Sequence, residues 1–285
     1  MNDTAWQLYA FNARMGLGPF LGGLPYPRYL EYPLALQMGG NLTGLEVLDI
    51  GSGRRGRFPL YLLATRQGLR IHSTDLIDYS GEQYRRAEKL GQAAAVPTRF
   101  VFERQDATAL TYPDESFDRV FALSTIEHIP DVGDTQAMRE FARVLRPGGL
   151  AVIALPFHAR GLQEVRRTVD VSYQAHDEEV FYERRYDLEA VRSRLTKPAR
   201  FRVERICFYG EDRFPFWSAF YSRILPLPIY LQWLTLPFRL TMPVLVQMFL
   251  SVLPLRRIDK ALGVVFSVRK SQAAKGVSPS DLRHA

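Results

Sequence analysis

The sequence predicts an α/β protein in which a mostly parallel sheet carries helices on both faces. From about residue 45 to residue 155, short apolar segments alternate with amphipathic ones, which is the pattern of βαβ units. Glycines follow the first apolar segment, where a strand is expected to turn into a helix. The chain has 285 residues, 47% of them apolar, which suits one such domain with additions.

Seven strands and four helices are expected. The strands are Leu45–Ile50, Leu69–Thr74, Arg99–Phe102, Arg119–Leu123, Leu150–Leu155, Phe201–Tyr209 and Val264–Val268. The helices are Pro59–Gln67, Gly81–Leu90, Asp134–Leu145 and Asp187–Leu195. Pro59 suits a first helical turn, and Pro147-Gly148-Gly149 is expected to stop the third helix before the fifth strand. The connection Pro156–Tyr186 is polar and is expected to hold no strand.

The pattern divides the chain into five parts. Residues 1–44 are expected to form a helical cap over a cofactor, and residues 45–209 the α/β core. Residues 210–262 form an apolar helical insertion between the last two strands, and residues 263–270 the last strand. Residues 271–285 are small and polar, so we expect a mobile tail.

The most informative segment is Asp49-Ile50-Gly51-Ser52-Gly53, between the first strand and the first helix of the core. Glycines let backbone N–H groups approach a ligand because no Cβ stands in the way. With Gly56 and with Asp75 about 20 residues on, the segment also matches the dinucleotide fingerprint. A nicotinamide or flavin dehydrogenase and a methyltransferase are therefore both compatible with this segment.

Features further along the chain favour the methyltransferase. Asp75 ends the second strand, Asp106-Ala107 follows the third, and Ser124 follows the fourth. Three further motifs accompany them: Tyr112-Pro113-Asp114-Glu115-Ser116-Phe117-Asp118, Ser124-Thr125-Ile126-Glu127-His128-Ile129 and Leu145-Arg146-Pro147-Gly148-Gly149. In this order and spacing, residues 45–155 closely resemble class I S-adenosylmethionine-dependent methyltransferases, in the ubiquinone/menaquinone-type (type 11) branch. The resemblance implies a Rossmann-like fold and S-adenosyl-L-methionine as the cofactor.

The resemblance also assigns roles by position. Gly51, Ser52 and Gly53 would flank the methionine moiety, with Asp49 bracing the glycine loop. Asp75 and Leu76 would hold the ribose, Asp106 and Ala107 the adenine, and Ser124 would face the cofactor. The chain departs from the family at Arg55, where a third glycine is usual, and Gly56 comes one residue later. Either Arg54 or Arg55 then lies near the carboxylate of the methionine moiety, or cofactor binding is weakened.

Three histidines are candidates for acid–base chemistry. Methyl transfer from a sulfonium is an in-line displacement, and a base is needed only for a poorly acidic acceptor. His128 follows the fourth strand, at the edge where substrates of this fold sit, and is the catalytic residue we expect. His158 and His176 follow the fifth strand as weaker candidates. A role for His128 in holding the following loop remains open.

Other motifs favour ordinary structural roles. Tyr29 and Tyr32 either cover the cofactor or are packing aromatics. Asp177-Glu178-Glu179 is an acidic run of the kind found on solvated faces, and no cluster has metal-ligand spacing, so no metal is expected. The start of the chain shows no secretory signal, and the one cysteine, Cys207, agrees with a cytoplasmic location.

The segment from Ile224 to Leu255 contains one charged residue, Arg239. Five prolines break it into pieces too short to cross a bilayer. Short helices lying in the membrane interface are expected instead, with aromatic residues at headgroup depth and Arg256, Arg257 and Lys260 against anionic lipid. A lid over the active site or a homodimer contact is the alternative.

The function expected is a membrane-surface methyltransferase with a lipid-linked or amphipathic acceptor, a sugar hydroxyl being favoured. A soluble natural-product methyltransferase is the second hypothesis, and a cofactor-binding interaction protein without catalysis is the third. The net charge of +7 suits anionic partners, but no basic and aromatic run resembles a nucleic-acid-binding module.

Overall fold

The computed structural model describes residues 5–16, 23–170, 174–217 and 234–271. Within these ranges, eight strands form one sheet in the order β3-β2-β1-β4-β5-β10-β8-β9, and two more form a separate hairpin, β6-β7. The strands are β1 Glu46–Ile50, β2 Arg70–Asp75, β3 Phe100–Arg104, β4 Phe117–Leu123, β5 Leu145–Pro156, β6 Gln163–Val169, β7 Ala175–Arg185, β8 Arg202–Glu211, β9 Leu250–Leu253 and β10 Ala261–Arg269.

Helices cover both faces of the sheet. They are α1 Ala5–Arg14, α2 Arg28–Gly39, α3 Arg57–Thr65, α4 Ser80–Lys89, α5 Gly133–Val144, α6 Leu188–Ala190 with a π-helical continuation Val191–Thr196, α7 Leu236–Leu240 and α8 Met242–Phe249. Alternate residues of β5 face opposite layers: Val152 and Ala154 pack toward α1–α4, whereas Ala151 and Ile153 pack toward α5 and α6. This alternation is the expected result of the two-residue period of a strand buried on both faces.

The α/β fold with a Rossmann-like, mostly parallel sheet is confirmed. β1 to β5 are mutually parallel, β10 runs antiparallel to β5, and β8 runs antiparallel to β10. The sheet has eight strands rather than seven because β9, from the apolar segment, pairs with β8 at the outer edge. That segment was expected to be helical only.

Two other expectations were wrong. The polar connection Pro156–Tyr186 holds the hairpin β6-β7, whose exposed, charged strands lack the apolar alternation by which strands are found. Pro147-Gly148-Gly149 does not stop the third predicted helix, because α5 has already ended at Val144 and β5 begins at Leu145.

The apolar segment is half buried where it is described. Met242 and Val246 of α8 and Leu250 and Leu253 of β9 are buried and pack on the core. Val244 (42% exposed) and Met248 (57% exposed), one helical turn apart, face outward. Residues 218–233, which include Phe220, Tyr221, Tyr230 and Trp233, lie outside the described residues, as does the tail from 272.

Candidate active site

The glycine loop follows β1 and leads into α3. Gly51 (φ +69°), Gly53 (φ +67°) and Gly56 (φ +54°) have left-handed backbone conformations that favour glycine. A Cβ on Gly51 would lie 2.1 Å from Cγ2 of Thr125, so β4 and the loop are in close contact there. A Cβ on Gly53 would meet no described atom within 4 Å, so the loop leaves space beside Gly53.

Gln83 of α4 holds this loop in place. Its buried amide donates from Nε2 to Oγ of Ser52 and to the carbonyl of Gly53, both at 2.8 Å. Its Oε1 accepts from Oγ of Ser73 at 2.8 Å. A Cβ on Gly56 would lie 2.6 Å from Cδ of Gln83. Gly56, one residue later than the third glycine usual in the family, therefore allows the Gln83 side chain to approach the loop closely. Arg55 does not prevent the hydrogen bonds that hold the loop.

Asp75 ends β2 beside the loop. Its Oδ2 accepts from the backbone N–H of Gly53 at 2.9 Å, and its Oδ1 from that of Ile77 at 3.2 Å. Burial raises the pKa of Asp75, although these N–H groups oppose the rise. Leu76 and Ile77 are 61% and 42% exposed. A carboxylate with spare lone pairs thus lies beside an apolar surface that nothing in the described protein covers.

Asp106 and Ala107 follow β3, the next strand of the sheet. Asp106 is exposed, and its Oδ1 accepts from the backbone N–H (2.8 Å) and Oγ1 (2.7 Å) of Thr108. These hydrogen bonds form a turn that presents Oδ2 to solvent. Because β1, β2 and β3 are adjacent and parallel, their carboxyl ends bring Gly53, Asp75 and Asp106 to one edge.

Asp49 lies beneath the loop and is 2% exposed. Its Oδ2 has no hydrogen-bond partner among the described residues. Burial raises the pKa of Asp49 well above its ordinary value, and the nearby Asp75 adds to the rise. Burial thus favours the uncharged form of the Asp49 carboxyl beneath the loop.

Of the two arginines expected at the loop, Arg54 is not directed inward. Arg54 extends outward, with its Nε 3.1 Å from Oε1 of Glu82. Arg57, which the sequence analysis missed, has a buried Nε without a hydrogen-bond partner among the described residues. Its guanidinium also donates to the carbonyl of Gly23. Burial lowers the pKa of Arg57 to about 10.

Arg28 of α2 was also missed. Its Nη1 donates to the carbonyl of Leu123, at the end of β4, at 3.0 Å and pairs with Glu31. Glu31 in turn accepts from the hydroxyl of Tyr209 on β8. No short motif marks Arg28, since its neighbours Tyr26, Tyr29 and Tyr32 form an ordinary buried aromatic group.

The turn after β4 brings Ser124, Thr125 and His128 to the same edge. Ser124 has a left-handed backbone (φ +50°), unusual for a residue with a Cβ. Nδ1 of His128 lies 2.7 Å from the carbonyl oxygen of Tyr182 on β7. A carbonyl only accepts, so Nδ1 carries the hydrogen and Nε2 keeps the lone pair in the neutral ring. Burial lowers the pKa of His128, which favours that neutral ring.

Glu127, quoted within a motif but not predicted as a site residue, points inward from this turn. It is 1% exposed, and its Oε2 has no hydrogen-bond partner among the described residues. Its Oε1 lies 3.9 Å from Nε2 of His128. Burial raises the pKa of Glu127 well above its ordinary value. A buried carboxyl and an oriented imidazole thus stand side by side at the end of β4.

The hairpin is anchored to this turn by Arg184. This arginine is 1% exposed and donates to the carbonyls of Ile129 (2.6 Å) and Asp131 (2.8 Å). Asp134, in the first turn of α5, accepts from Tyr186 and Arg194, both at 2.8 Å. The hairpin therefore forms one wall beside His128 and fixes its ring through Tyr182.

The two weaker histidine candidates have other hydrogen-bond partners. Nδ1 of His158 is 3.1 Å from the carbonyl oxygen of Gly161, and Nε2 of His176 is 2.9 Å from Oδ2 of Asp170 on the hairpin. Tyr29 and Tyr32 of α2 are buried, and Tyr32 packs against Phe58. Within the described ranges, no group of His, Cys, Asp and Glu side chains is arranged to hold a metal ion.

Comparisons with known proteins agree with this geometry. Residues 48–153 match a family described as a methyltransferase domain. Over 107 residues, the chain is 42% identical to a 27-O-demethylrifamycin SV methyltransferase of Amycolatopsis mediterranei, covering 38% of this chain and 37% of that one. Over 118 residues, it is 35% identical to a phosphatidylethanolamine N-methyltransferase of Cereibacter sphaeroides, covering 41% and 53%. The chain thus spans about a third to a half of the length of these relatives.

Solved structures extend the likeness in fold to most of the chain. The YcgJ protein from Bacillus subtilis superposes with a TM-score of 0.52 at 16% identity, covering 85% of this chain and 99% of that one. The 4+2-cyclase SpnF superposes with a TM-score of 0.52 at 16% identity, covering 85% and 81%. At such identities only the fold is shared, and the name of SpnF illustrates that this fold alone does not fix the reaction.

Proposed function

Residues 48–153 form a class I S-adenosylmethionine-dependent methyltransferase domain, and we propose that the whole protein methylates a lipid-linked or amphipathic acceptor, preferably at a sugar hydroxyl. The observation that carries the proposal is the edge at which the glycine loop, Asp75, Asp106 and His128 meet. This edge combines a site for a nucleoside with a candidate base that follows the neighbouring strand β4.

The site fits S-adenosylmethionine. The space beside Gly53 accommodates a ligand close to the backbone, and the carboxylate of Asp75 accepts hydrogen bonds from ribose hydroxyls. The exposed Leu76 and Ile77 provide an apolar surface for the adenine, with Asp106 for its amino group. Arg57 supplies a positive charge for the carboxylate of the methionine moiety, in place of Arg54. When bound, the cofactor supplies an activated methyl group.

His128 is proposed as the general base. The carbonyl of Tyr182 fixes the ring so that Nε2 carries the lone pair, and burial keeps the ring neutral. A neutral imidazole with a defined tautomer is suited to take the proton of a hydroxyl as its oxygen attacks the methyl group. This hydrogen bond between His128 and Tyr182 also holds the hairpin against the turn after β4.

The amphipathic acceptor is inferred from the surface of the apolar segment. Leu240, Val244 and Met248 are exposed on α7 and α8, with Val252 and Leu255 beyond them. Arg256, Arg257 and Lys260 follow directly and are exposed, although Arg257 and Lys260 are also paired with Asp212. Apolar side chains next to basic ones favour an anionic lipid surface.

The names of relatives support an amphipathic acceptor. One is a phosphatidylethanolamine N-methyltransferase. Another, of a Synechocystis species, is a 2-methyl-6-phytyl-1,4-hydroquinone methyltransferase, 36% identical over 121 residues and covering 41% of this chain and 35% of that one. The rifamycin enzyme supports the second hypothesis, a soluble natural-product acceptor, with the apolar segment serving as a lid.

The structure limits how the protein would meet a membrane. None of the helices in the described ranges has the length and apolar run that crossing a bilayer requires. The buried face of α8 holds the segment on the core, so only its outer face is available to lipid. Phe238 is partly buried and packs against Phe216, with ring centroids 6.2 Å apart, so it is a weaker test of lipid contact than the exposed side chains.

Flotation with anionic liposomes tests the membrane contact. The protein is expected to float, and replacing Leu240, Val244 and Met248 by Gln is expected to abolish flotation without unfolding, because these side chains are exposed. Each side chain contributes about 1.5–3 kcal/mol when fully buried in lipid, before ordering costs. High salt is expected to weaken flotation partly, because only the basic contribution is screened.

A matched control is Met242→Gln and Val246→Gln, on the buried face of α8. These changes are expected to lower the melting temperature. Methyl transfer from labelled S-adenosylmethionine into a total lipid extract identifies the acceptor fraction. Absence of flotation, with label entering only a water-soluble product, would reject the lipid-linked acceptor in favour of the second hypothesis. Cofactor binding without any labelled product would favour the non-catalytic hypothesis.

A further inference from the structure

Glu127 has an environment that neither folding nor the base assigned above explains. Its carboxyl is 1% exposed, and Oε2 has no hydrogen-bond partner among the described residues. Leaving such a group unpaired destabilises the folded protein. Buried polar atoms without a hydrogen-bond partner are rare in folded proteins, so Oε2 of Glu127 is best explained by a role that begins when a ligand binds.

The charges around Glu127 do not hold it ionised. Titratable groups from α2, the hairpin side, β8 and its own turn face it: Arg28, Glu31, His128, Glu183, Tyr186 and Tyr209. Arg28 is the cation of this group, and Glu31 already pairs with it. Glu31 and Glu183 oppose a second negative charge. Burial raises the pKa of Glu127 well above its ordinary value and Glu31 and Glu183 add to the rise, although a backbone N–H and Arg28 oppose it, so the protonated form is favoured in the protein alone.

We propose that Glu127 releases its proton when the positively charged cofactor binds, and that the resulting carboxylate then stabilises His128 as the imidazolium. The inference rests on the proposed function, because it requires a sulfonium at this edge of the sheet. A nearby positive charge favours the ionised form of a carboxyl. S-adenosylhomocysteine, the demethylated product, is a neutral thioether and lacks this charge.

The proton and charge balance are complete. On loading, the Glu127 carboxyl gives its proton to solvent. In the transfer, the hydroxyl oxygen of the acceptor forms its bond to the methyl carbon, the carbon–sulfur bond breaks with both electrons left on sulfur, and the hydroxyl proton moves to Nε2 of His128. The positive charge thereby passes from sulfur to the imidazole, 3.9 Å from Oε1 of Glu127. Glu127 is a positioning residue in this account, since it acts through His128.

Proton release on binding tests the inference without any acceptor. Calorimetric titrations at pH 7 in phosphate and in Tris, whose ionisation enthalpies differ, give the number of protons released with each ligand. The full-length wild-type protein is expected to release about one proton more with S-adenosylmethionine than with S-adenosylhomocysteine. Glu127→Gln is expected to remove this difference and to bind both ligands.

Two further variants separate Glu127 from its neighbours. Asp49→Asn, which removes the other buried carboxyl near the loop, and Glu127→Asp, which keeps a carboxyl, are both expected to retain the difference. Equal proton counts for the two ligands in the wild type would overturn the inference, and so would a difference that persists in Glu127→Gln or disappears in Asp49→Asn. Failure of the wild type to bind S-adenosylmethionine would instead overturn the proposed function. If Glu127→Gln does not fold, loss of the difference in Glu127→Asp would count against the inference.

Discussion

The cofactor side and the acceptor side of the site are assembled over different distances in the chain. On the cofactor side, Gly53 bonds to Asp75 and Gln83, which are 22 and 30 residues away. On the acceptor side, His128 bonds to Tyr182, 54 residues away, and Arg28 reaches Leu123 across 95 residues. The first arrangement is a local motif, whereas the second exists only once the sheet and hairpin are folded.

This difference determines how each side responds to change. The glycine loop is fixed by strand ends and one amide, so its substitutions are expected to act on cofactor affinity. The turn after β4 is fixed by the hairpin and α2, so its substitutions are expected to act on turnover. Substitutions on the two sides are therefore expected to have separable effects on cofactor affinity and on turnover.

The largest effect is expected at His128. His128→Ala removes the base and is expected to lower turnover by about 10²–10⁴-fold, the usual range for general acid–base catalysis. Cofactor affinity is expected to change little, because the glycine loop is held from β2 and α4. Single-turnover transfer of labelled methyl to the acceptor fraction measures the first quantity and calorimetry the second. His158→Ala is the control, and a loss below threefold in His128→Ala would reject His128 as the base.

On the cofactor side, Asp75→Ala is expected to weaken S-adenosylmethionine binding by about 1.5–3 kcal/mol, the range for hydrogen bonds to a charged group. This corresponds to about 10- to 150-fold in affinity. Asp78→Ala, an exposed carboxylate three residues on, is the control and is expected to bind normally. Equal affinities of the two variants, measured by calorimetry, would remove the ribose assignment.

A pair of glycine substitutions separates loop stability from ligand contact. Gly51→Ala places a Cβ 2.1 Å from Thr125 and is expected to destabilise the fold by about 1–3 kcal/mol. Gly53→Ala meets no described atom and is expected to cost about 1 kcal/mol of backbone strain while impairing cofactor binding more. Thermal melts with and without S-adenosylmethionine compare the two. The reverse order of effects would mean that the ligand does not lie beside Gly53.

The smallest effect concerns Asp49. A carboxyl whose pKa is raised by folding contributes stability that is fully present below its ordinary pKa near 4 and is lost as the pH rises through the raised value. Burial raises the pKa of Asp49, so this loss falls on the alkaline side of pH 4. Asp49→Asn is expected to gain stability relative to wild type, on the order of 1 kcal/mol, between pH 5 and pH 8. A constant difference across that range, in urea melts, would show that Asp49 is not an uncharged buried acid.

The sequence predicted the sheet core because its signals are local. The apolar residues of the predicted strands Leu45–Ile50 and Arg119–Leu123, and the glycines between a strand and a helix, are signals that each depend on a few neighbouring residues. The hairpin was missed because its strands are exposed and charged, and β9 was missed because an apolar run does not by itself distinguish strand from helix. Arg28, Arg57 and Glu127 were missed because their roles come from burial and distant partners.

The histidine prediction shows the same limit. His128 was chosen for its place after the fourth strand, which is a local signal. The carbonyl of Tyr182 that sets its tautomer and the carboxyl of Glu127 beside Nε2 become visible only in the folded chain. The sequence therefore identifies His128 as a candidate base, whereas the tautomer of its ring and the neighbouring carboxyl are seen only in the structure.

The most direct measurement of the central proposal is a calorimetric titration of the full-length protein with S-adenosylmethionine, S-adenosylhomocysteine and NAD. The geometry of the glycine loop, Asp75 and Asp106 predicts binding of the first two with one site per chain and no detectable binding of NAD. Tighter binding of NAD, or no binding of S-adenosylmethionine, would contradict the proposal.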